Sequence, residues 1–191
     1  EGTPMEIDST DIGGGIWQMP YRPTPLFFKA DGKKYFNERP VSTQQSAFTF
    51  VSQMRSWLPR EVGGCFWFGN DDANMIAYVP IYCCVNEVPE AFRRENNQSN
   101  EFSEQSAFWV NNVVANMVYP RYAAMFPDLK QVRDSLQQAY FAQQSDVEAK
   151  AKTMPAAEMQ RYLNDYSISQ AQGMLARWKQ LADRKSTRLN S

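Results

Sequence analysis

Histidine is missing from all 191 residues. That absence removes the usual general base of serine and cysteine hydrolases, along with the commonest zinc ligand. Hydrolytic chemistry in this polypeptide has to proceed without imidazole. Cysteine is scarce too: Cys65, Cys83 and Cys84 make neither an even disulfide framework nor a CxxC pair, so plain packing is the simpler reading of all three and no metal or other cofactor is expected. No excess of positive charge exists, because 20 basic residues are set against 21 acidic ones. Nucleic acid and anionic lipid are therefore poor partners. Apolar runs long enough to span a bilayer are also lacking, since the aromatic-rich stretches are broken by Asn, Gln or Arg. The chain opens at Glu1 without an initiator methionine or an apolar leader, which places any export signal upstream and leaves localisation, exported or cytoplasmic, open.

What is present is apolar and aromatic: 43% hydrophobic and 14% Phe, Trp and Tyr, enough for one globular core. Gly and Pro crowd the first thirty residues, including Gly13, Gly14, Gly15, Pro20, Pro23 and Pro25, and predict an extended, turn-rich leader. No Lys-Ser/Thr pair follows the glycine triplet, so it is not a phosphate-binding loop. Short runs at Leu26–Phe28, Tyr35–Phe36, Ala47–Val51, Cys65–Phe68 and Met75–Tyr82 read as strands. Gly69–Asp72 supplies turn chemistry for an antiparallel hairpin, whose nearly unbroken apolar strands predict cover on both faces and a buried Trp67.

Beyond a polar loop over Glu87–Asn100 the periodicity turns helical. Ser106, Trp109, Val110, Val113, Val114, Met117 and Val118 recur at steps of three and four between about Ser103 and Pro120. This predicts a helix with Trp109, Val113 and Met117 facing the sheet and Asn111 and Asn112 turned away. A second helix is expected from an Asp128 cap through Val132, Leu136 and Tyr140. Met159, Leu163 and Tyr166, then Ala171, Met174, Leu175, Trp178 and Leu181, suggest two more, divided at Tyr166 by a capping box of Ser167 and Gln170. Strands followed by helices make a layered α+β or α/β architecture. Asp183–Ser191 has no apolar periodicity and matches the in-frame translation of a common sequencing adapter; it reads as foreign, with the natural chain continuing beyond Ala182.

An ordered series of short motifs carries a family likeness: Glu1-Gly2-Thr3-Pro4, Arg39-Pro40-Val41, Gln53-Met54-Arg55, Leu58-Pro59, Trp67, Val79-Pro80-Ile81-Tyr82, Tyr162–Ser167 and Trp178. Together they resemble bacterial cysteine dipeptidases of the dipeptidase A type, in the N-terminal-nucleophile hydrolase superfamily, over Glu1–Ala182. The resemblance implies an α+β fold of four αββα layers, of which residues 1–182 form the carboxy-terminal part of one catalytic domain. It also implies a short-peptide substrate and an upstream cysteine that is nucleophile and, through its free α-amino group, general base. An α-amino group titrates near ~7.7 to 8.0 and so needs no histidine.

Related acylases use an arginine and an asparagine for orientation and for the oxyanion hole, and Arg39, Arg55 and Asn70 are the nearest candidates. For the arginines the plainer reading is a surface or interlayer ion pair, and for Asn70, beside Asp71 and Asp72, a solvated turn. Where the family often carries basic residues, this chain has Gln45 and Phe50. Core packing is likewise the plainer reading of the aromatic series Trp17, Tyr21, Phe27, Phe28, Phe66, Trp67 and Phe68, although it would also line a side-chain pocket. Hydrolysis of N-acyl amides or conjugated bile acids, a non-catalytic aromatic-cleft binding module and a homo-oligomeric assembly stay open as alternatives.

Overall fold

The structure is a computed structural model and describes residues 27–36 and 41–189. The leader, including Glu1–Pro4, Gly13–Gly15, Trp17 and Tyr21, lies outside the described residues, as does Arg39.

β1 (Phe27–Ala30) and β2 (Lys33–Phe36) form an antiparallel ribbon, with Ala30 opposite Lys33 across a two-residue turn. Asp31 and Gly32 both take positive φ, 50° and 74°, which suits the right-handed twist of a tight hairpin. A second sheet has the order β3-β4-β5, all antiparallel, from β3 (Phe48–Met54), β4 (Gly64–Asn70) and β5 (Val79–Tyr82). A single helical turn, α1 (Arg60–Gly63), joins β3 to β4. Three helices complete the chain: α2 (Ala107–Val118), α3 (Tyr122–Ala151) and α4 (Ala156–Leu189). This is the expected α+β class, antiparallel strands followed by packed helices.

Alternation along β4 divides its two faces. Cys65, Trp67 and Gly69 point inward and are buried, Trp67 among them as expected. Below them Val62, Tyr82, Tyr140, Val147, Met159 and Leu163 close one core. The second core lies between the helices, where Val110, Val114 and Val118 of α2 meet Leu129 of α3 and Met174, Trp178 and Leu181 of α4. The outer face is not covered as expected. Phe66 and Phe68 are only half-buried, and their neighbours on β3, Phe48 and Phe50, are exposed. These rings shield one another sideways, with Phe50–Phe66 centroids at 4.7 Å and Phe66–Phe68 at 5.7 Å.

Four further differences have local causes. Met75–Tyr78 is not strand: the Met75 N–H bonds the Asp72 carbonyl (2.8 Å) and the Asn74 N–H bonds Asp72 Oδ1 (3.2 Å), folding the chain into a turn before β5. α2 starts at Ala107, because Ser106 Oγ accepts the Trp109 N–H at 3.1 Å as its cap. Its inward stripe is Ala107, Val110, Asn111, Val114, Ala115 and Val118, which leaves Trp109, Asn112, Val113 and Met117 half-buried. The phase is thus turned from that expected, with Asn111 inside. Asp128 is no cap, since α3 begins at Tyr122 and contains Pro127; a proline this near the N-terminus forfeits one intrahelical bond, and Met125, Phe126 and Leu129 are buried around it.

α4 is unbroken at Tyr166. Ser167 and Asn164 face inward, where Ser167 Oγ accepts the Tyr82 N–H (3.2 Å) and Asn164 Oδ1 accepts the Glu87 N–H (3.2 Å). Of the two side chains read as a capping box, Ser167 therefore serves the end of β5 instead of a helix end, and Gln170 donates to Ser169 Oγ at 3.3 Å. At the far end of α4, Asp183, Arg184 and Ser186 are exposed. Removing residues 183–191 should therefore shift the thermal midpoint by no more than about 2 °C, checked by circular dichroism melts of both chains; a much larger drop would make the segment part of the native fold.

Candidate functional site

β3 delivers Arg55 to the seam between sheet and helices. Its N–H bonds the Gly63 carbonyl at 2.9 Å, and a Cβ at Gly63 would stand 2.7 Å from the Arg55 carbonyl oxygen, so only glycine fits there. The guanidinium grips Glu148 of α3 through both nitrogens: Nη1 to Oε2 at 2.8 Å and Nη2 to Oε1 at 2.6 Å. Nη2 also reaches the Val62 carbonyl at 3.0 Å, and Tyr82 donates its hydroxyl to Glu148 Oε1 at 3.0 Å. Both charged side chains are nearly buried, 13% and 9% exposed. Burial works against the Arg55 charge, but the Glu148 bond and charge outweigh it and hold the guanidinium above its usual range. Arg55 is accordingly an interlayer ion pair, with its carboxylate already supplied by the protein.

Cys65 lies beside this network. Burial pushes its thiol up to about 12, with Arg55 opposing and Glu148 adding to the rise. At neutral pH it is a protonated thiol, the inert form. Burial likewise pushes Tyr82 and Tyr140 upward and Tyr166 to about 12, so this seam stores protons tightly and exchanges few.

The third sequence candidate, Asn70, ends β4 and is half-buried. The turn after it is not solvated, since Asp71 is 1% and Asp72 0% exposed. Asp72 is well furnished: Ser42 Oγ and Tyr119 OH donate to its two oxygens, the latter at 2.8 Å, beside the Asn74 N–H. Asp71 takes positive φ, 90°, and its Oδ1 accepts the Asp72 N–H at 2.7 Å. From α2, Asn111 Nδ2 donates to the Asn70 carbonyl at 2.8 Å, which accounts for the inward phase of that helix. Three buried oxygens at this junction, Asn70 Oδ1, Asp71 Oδ2 and Asn111 Oδ1, have no donor. Burial raises Asp71 to about 6, opposed by the Asp72 N–H bond and helped by the charge of Asp72; the Asn112 side chain opposes it weakly, without the geometry of a hydrogen bond to Oδ2.

The structure keeps the sequence candidates apart. Arg55 sits at the end of β3, opposite the start of β4, whereas Asn70 sits at the other end of β4. Sequence reading missed Glu148, Asp71, Asp72 and Asn111 as functional or structural partners. The inward position of Glu148 was its only signal, whereas two adjacent aspartates after an apolar strand were visible but read as solvated. Among the described residues no group of three or more His, Cys, Asp or Glu side chains could hold a metal ion.

Two measurements follow from this geometry. Replacing Arg55 alone by Met leaves Glu148 buried and unpaired and should cost about 3 to 5 kcal/mol in urea unfolding, whereas the double change with Glu148→Leu should recover a large part. Equal losses in the single and double variants would deny the pair its structural role. For Asp71, the folded carboxyl holds its proton up to about 6 against an ordinary 3.8. Its contribution to stability is thus complete below about pH 4 and is lost as pH rises through 6. Asp71→Asn should raise stability at pH 7 by on the order of 1 to 3 kcal/mol and flatten the slope between pH 4 and 7; an unchanged slope would place the titration elsewhere.

Comparison with known proteins supplies the context. The chain is 24% identical over 132 residues to dipeptidase A of Lactobacillus helveticus, an alignment spanning 67% of this chain and 26% of that protein. It is 23% identical over 146 residues to a probable dipeptidase A of Streptococcus pyogenes serotype M3 strain SSI-1, spanning 75% of this chain and 30% of the relative. A protein of the same description from S. pyogenes serotype M18 strain MGAS8232 aligns over the same shares. The matched region thus spans less than a third of the length of these relatives. The sequence model of Peptidase family C69 matches residues 20–135, a segment that contains the whole β3-β4-β5 sheet, all of α2 and the Arg55 and Asn70 positions, and the chain belongs to that family.

Proposed function

We propose that this polypeptide is the carboxy-terminal part, over residues 1–182, of a cysteine-type dipeptidase whose nucleophile lies upstream of Glu1, with residues 183–191 foreign to it. The observation that carries the reading is the family match across the sheet and α2, to which the dipeptidase A relatives add the reaction class. The chemistry of the chain supports it. Histidine is absent, and the buried Cys65 thiol is pushed up to about 12, so neither the usual base nor a ready thiolate stands in that core. An upstream amino-terminal cysteine supplies both. Its α-amino group takes the thiol proton, the sulfur attacks the peptide carbonyl, the amine leaves, and water releases the acyl group.

The four-layer αββα arrangement belongs to the same proposal. It is supported by the open aromatic face of Phe48, Phe50, Phe66 and Phe68, which offers a second sheet an apolar bed opposite the helices. Among the orienting candidates, Asn70 stands at the end of β4 on that same face by strand alternation, and Arg39 is carried by the family resemblance alone. Arg55, committed to Glu148, acts through the position of β3.

The experiment is hydrolysis of a dipeptide panel, set beside N-acyl amino acids and conjugated bile acids, by this chain and by the full-length processed protein. The chain alone should show no turnover and the full-length protein should hydrolyse dipeptides. In the latter, Cys65→Ala, Cys83→Ala and Cys84→Ala should each keep most activity, while alanine at the upstream cysteine abolishes it. Thiol-dependent hydrolysis by the chain alone, lost with Cys65→Ala, would overturn the assignment. Preference for the acylated substrates would keep the fold and change the substrate.

A further inference from the structure

Cys83 and Cys84 lie outside the proposed chemistry; Cys84 packs in part against the core of Val62, Cys65 and Tyr82, as a packing residue would, whereas Cys83 is not buried. Cys83 is exposed and Cys84 half-buried, both as free thiols. The Val85 N–H bonds the Tyr82 carbonyl at 3.2 Å, which places the two cysteines at the central positions of a β-turn. The Cys83 N–H bonds the Gly64 carbonyl at 3.0 Å, and Gly64 leaves the thiol its room, since a Cβ there would come within 2.9 Å of Cys83 Sγ. On the other side, Gln160 of α4 donates to the Cys84 carbonyl at 2.8 Å. The turn is therefore held at three points, and both cysteines line one open cleft of about 600 Å³ together with Met54, Arg60, Glu61, Ala156 and Ala157.

We propose that this turn is a two-thiol binding site for thiophilic centres that take two sulfur ligands, of which monosubstituted trivalent arsenicals are the type. Adjacent α-carbons are about 3.8 Å apart, closer than the roughly 4.4 to 6.8 Å that an ordinary disulfide spans, so a direct S–S bond here is strained. One large atom between the sulfurs widens the ring and relieves that strain. Soft thiolate donors select soft centres; Glu61 shares the cleft, but a carboxylate is a hard ligand and no metal-holding group of three forms among the described residues, so the coordination stops at two. Met54, Ala156 and Ala157 give an organic substituent apolar walls. The reaction balances without any redox partner: two As–S bonds form, the As=O oxygen leaves as water carrying both thiol protons, and arsenic stays trivalent. Burial raises the Cys84 thiol, which sets the rate and not the stoichiometry, because both thiols enter as S–H.

The test is native mass spectrometry of the reduced chain with phenylarsine oxide, its folding followed in parallel by far-ultraviolet circular dichroism. One adduct per folded chain is expected, reversed by ethanedithiol and resistant to glutathione. Cys83→Ser and Cys84→Ser should each weaken it at least about 100-fold, the loss of a chelate partner held at high effective concentration. Cys65→Ser should leave it unchanged. Retention of the adduct in Cys84→Ser, its loss in Cys65→Ser, or an adduct formed only after urea is added would each overturn the site.

Discussion

The bidentate contact between Arg55 and Glu148 is the constraint on which the arrangement of layers rests. It spans 93 residues of sequence, joining the end of β3 to α3, and it recruits the hydroxyl of Tyr82 from β5 at the same carboxylate. Three elements thus share one buried charge pair. Such a pair gains little over apolar side chains of equal volume, but losing either partner strands the other in the core. Its contribution is therefore geometric: with Arg55 also bound to the Val62 carbonyl, the sheet has one register against α3. Cys65 and Trp67, which point down from β4, then pack beside Tyr140 and Val147 of α3.

At the opposite end of β4 the polar groups are arranged differently. Asp72 is fully served, and it pins the turn through Ser42, Asn74 and Tyr119. Asp71 follows a half-buried asparagine, adopts a left-handed backbone, and leaves one carboxyl oxygen without a donor. Backbone of that kind and buried acceptors of that kind both cost stability. The two ends of one strand thus differ: one closes the fold with matched charges, and the other concentrates unmatched acceptors beside α2.

Periodicity made the elements legible, and partners decided where it misled. The three-four spacing in residues 103–120 identified α2, but its phase turned on Asn111, a polar residue drawn inward by the Asn70 carbonyl; hydrophobic pattern carries no signal for that. Ser167 and Gln170 have the spacing of a helix start, yet Ser167 answers an N–H of β5 that is 85 residues away in sequence. Local rules cannot distinguish a side chain that caps its own helix from one that caps a strand elsewhere. The same limit governs the site. A surface or interlayer ion pair is the plainer sequence reading of Arg55, and Arg55 makes an interlayer one, but Glu148 as its partner depends on how α3 crosses the sheet. Adjacent carboxylates usually mean solvent, which is why sequence misplaces Asp71 and Asp72; here Tyr119 and Ser42 replace water at Asp72, and Asp71 is buried with the Asp72 N–H on one oxygen.

The outer face of the sheet follows from these same choices. Strand alternation that sends Cys65 and Trp67 toward the helices must send Phe66 and Phe68 the other way, and β3 aligns Phe50 with Phe68 and Phe48 with Asn70. Stacked and tilted contacts among the rings recover part of the burial, and Phe92 adds an edge-on contact to Phe68 at 5.1 Å. Phe48 and Phe50 nevertheless stay 57% and 49% exposed, and aromatic area left in water is area from which folding gains nothing. A sheet with one face sealed by charge-registered helices and the other a bed of phenyl rings presents an apolar surface of the kind that facing sheets bury against each other. The proposed catalytic unit places a second sheet on that bed, which would desolvate the rings and enclose the Asn70 end of β4 with its unmatched acceptors, where a donor from the added layer could meet them.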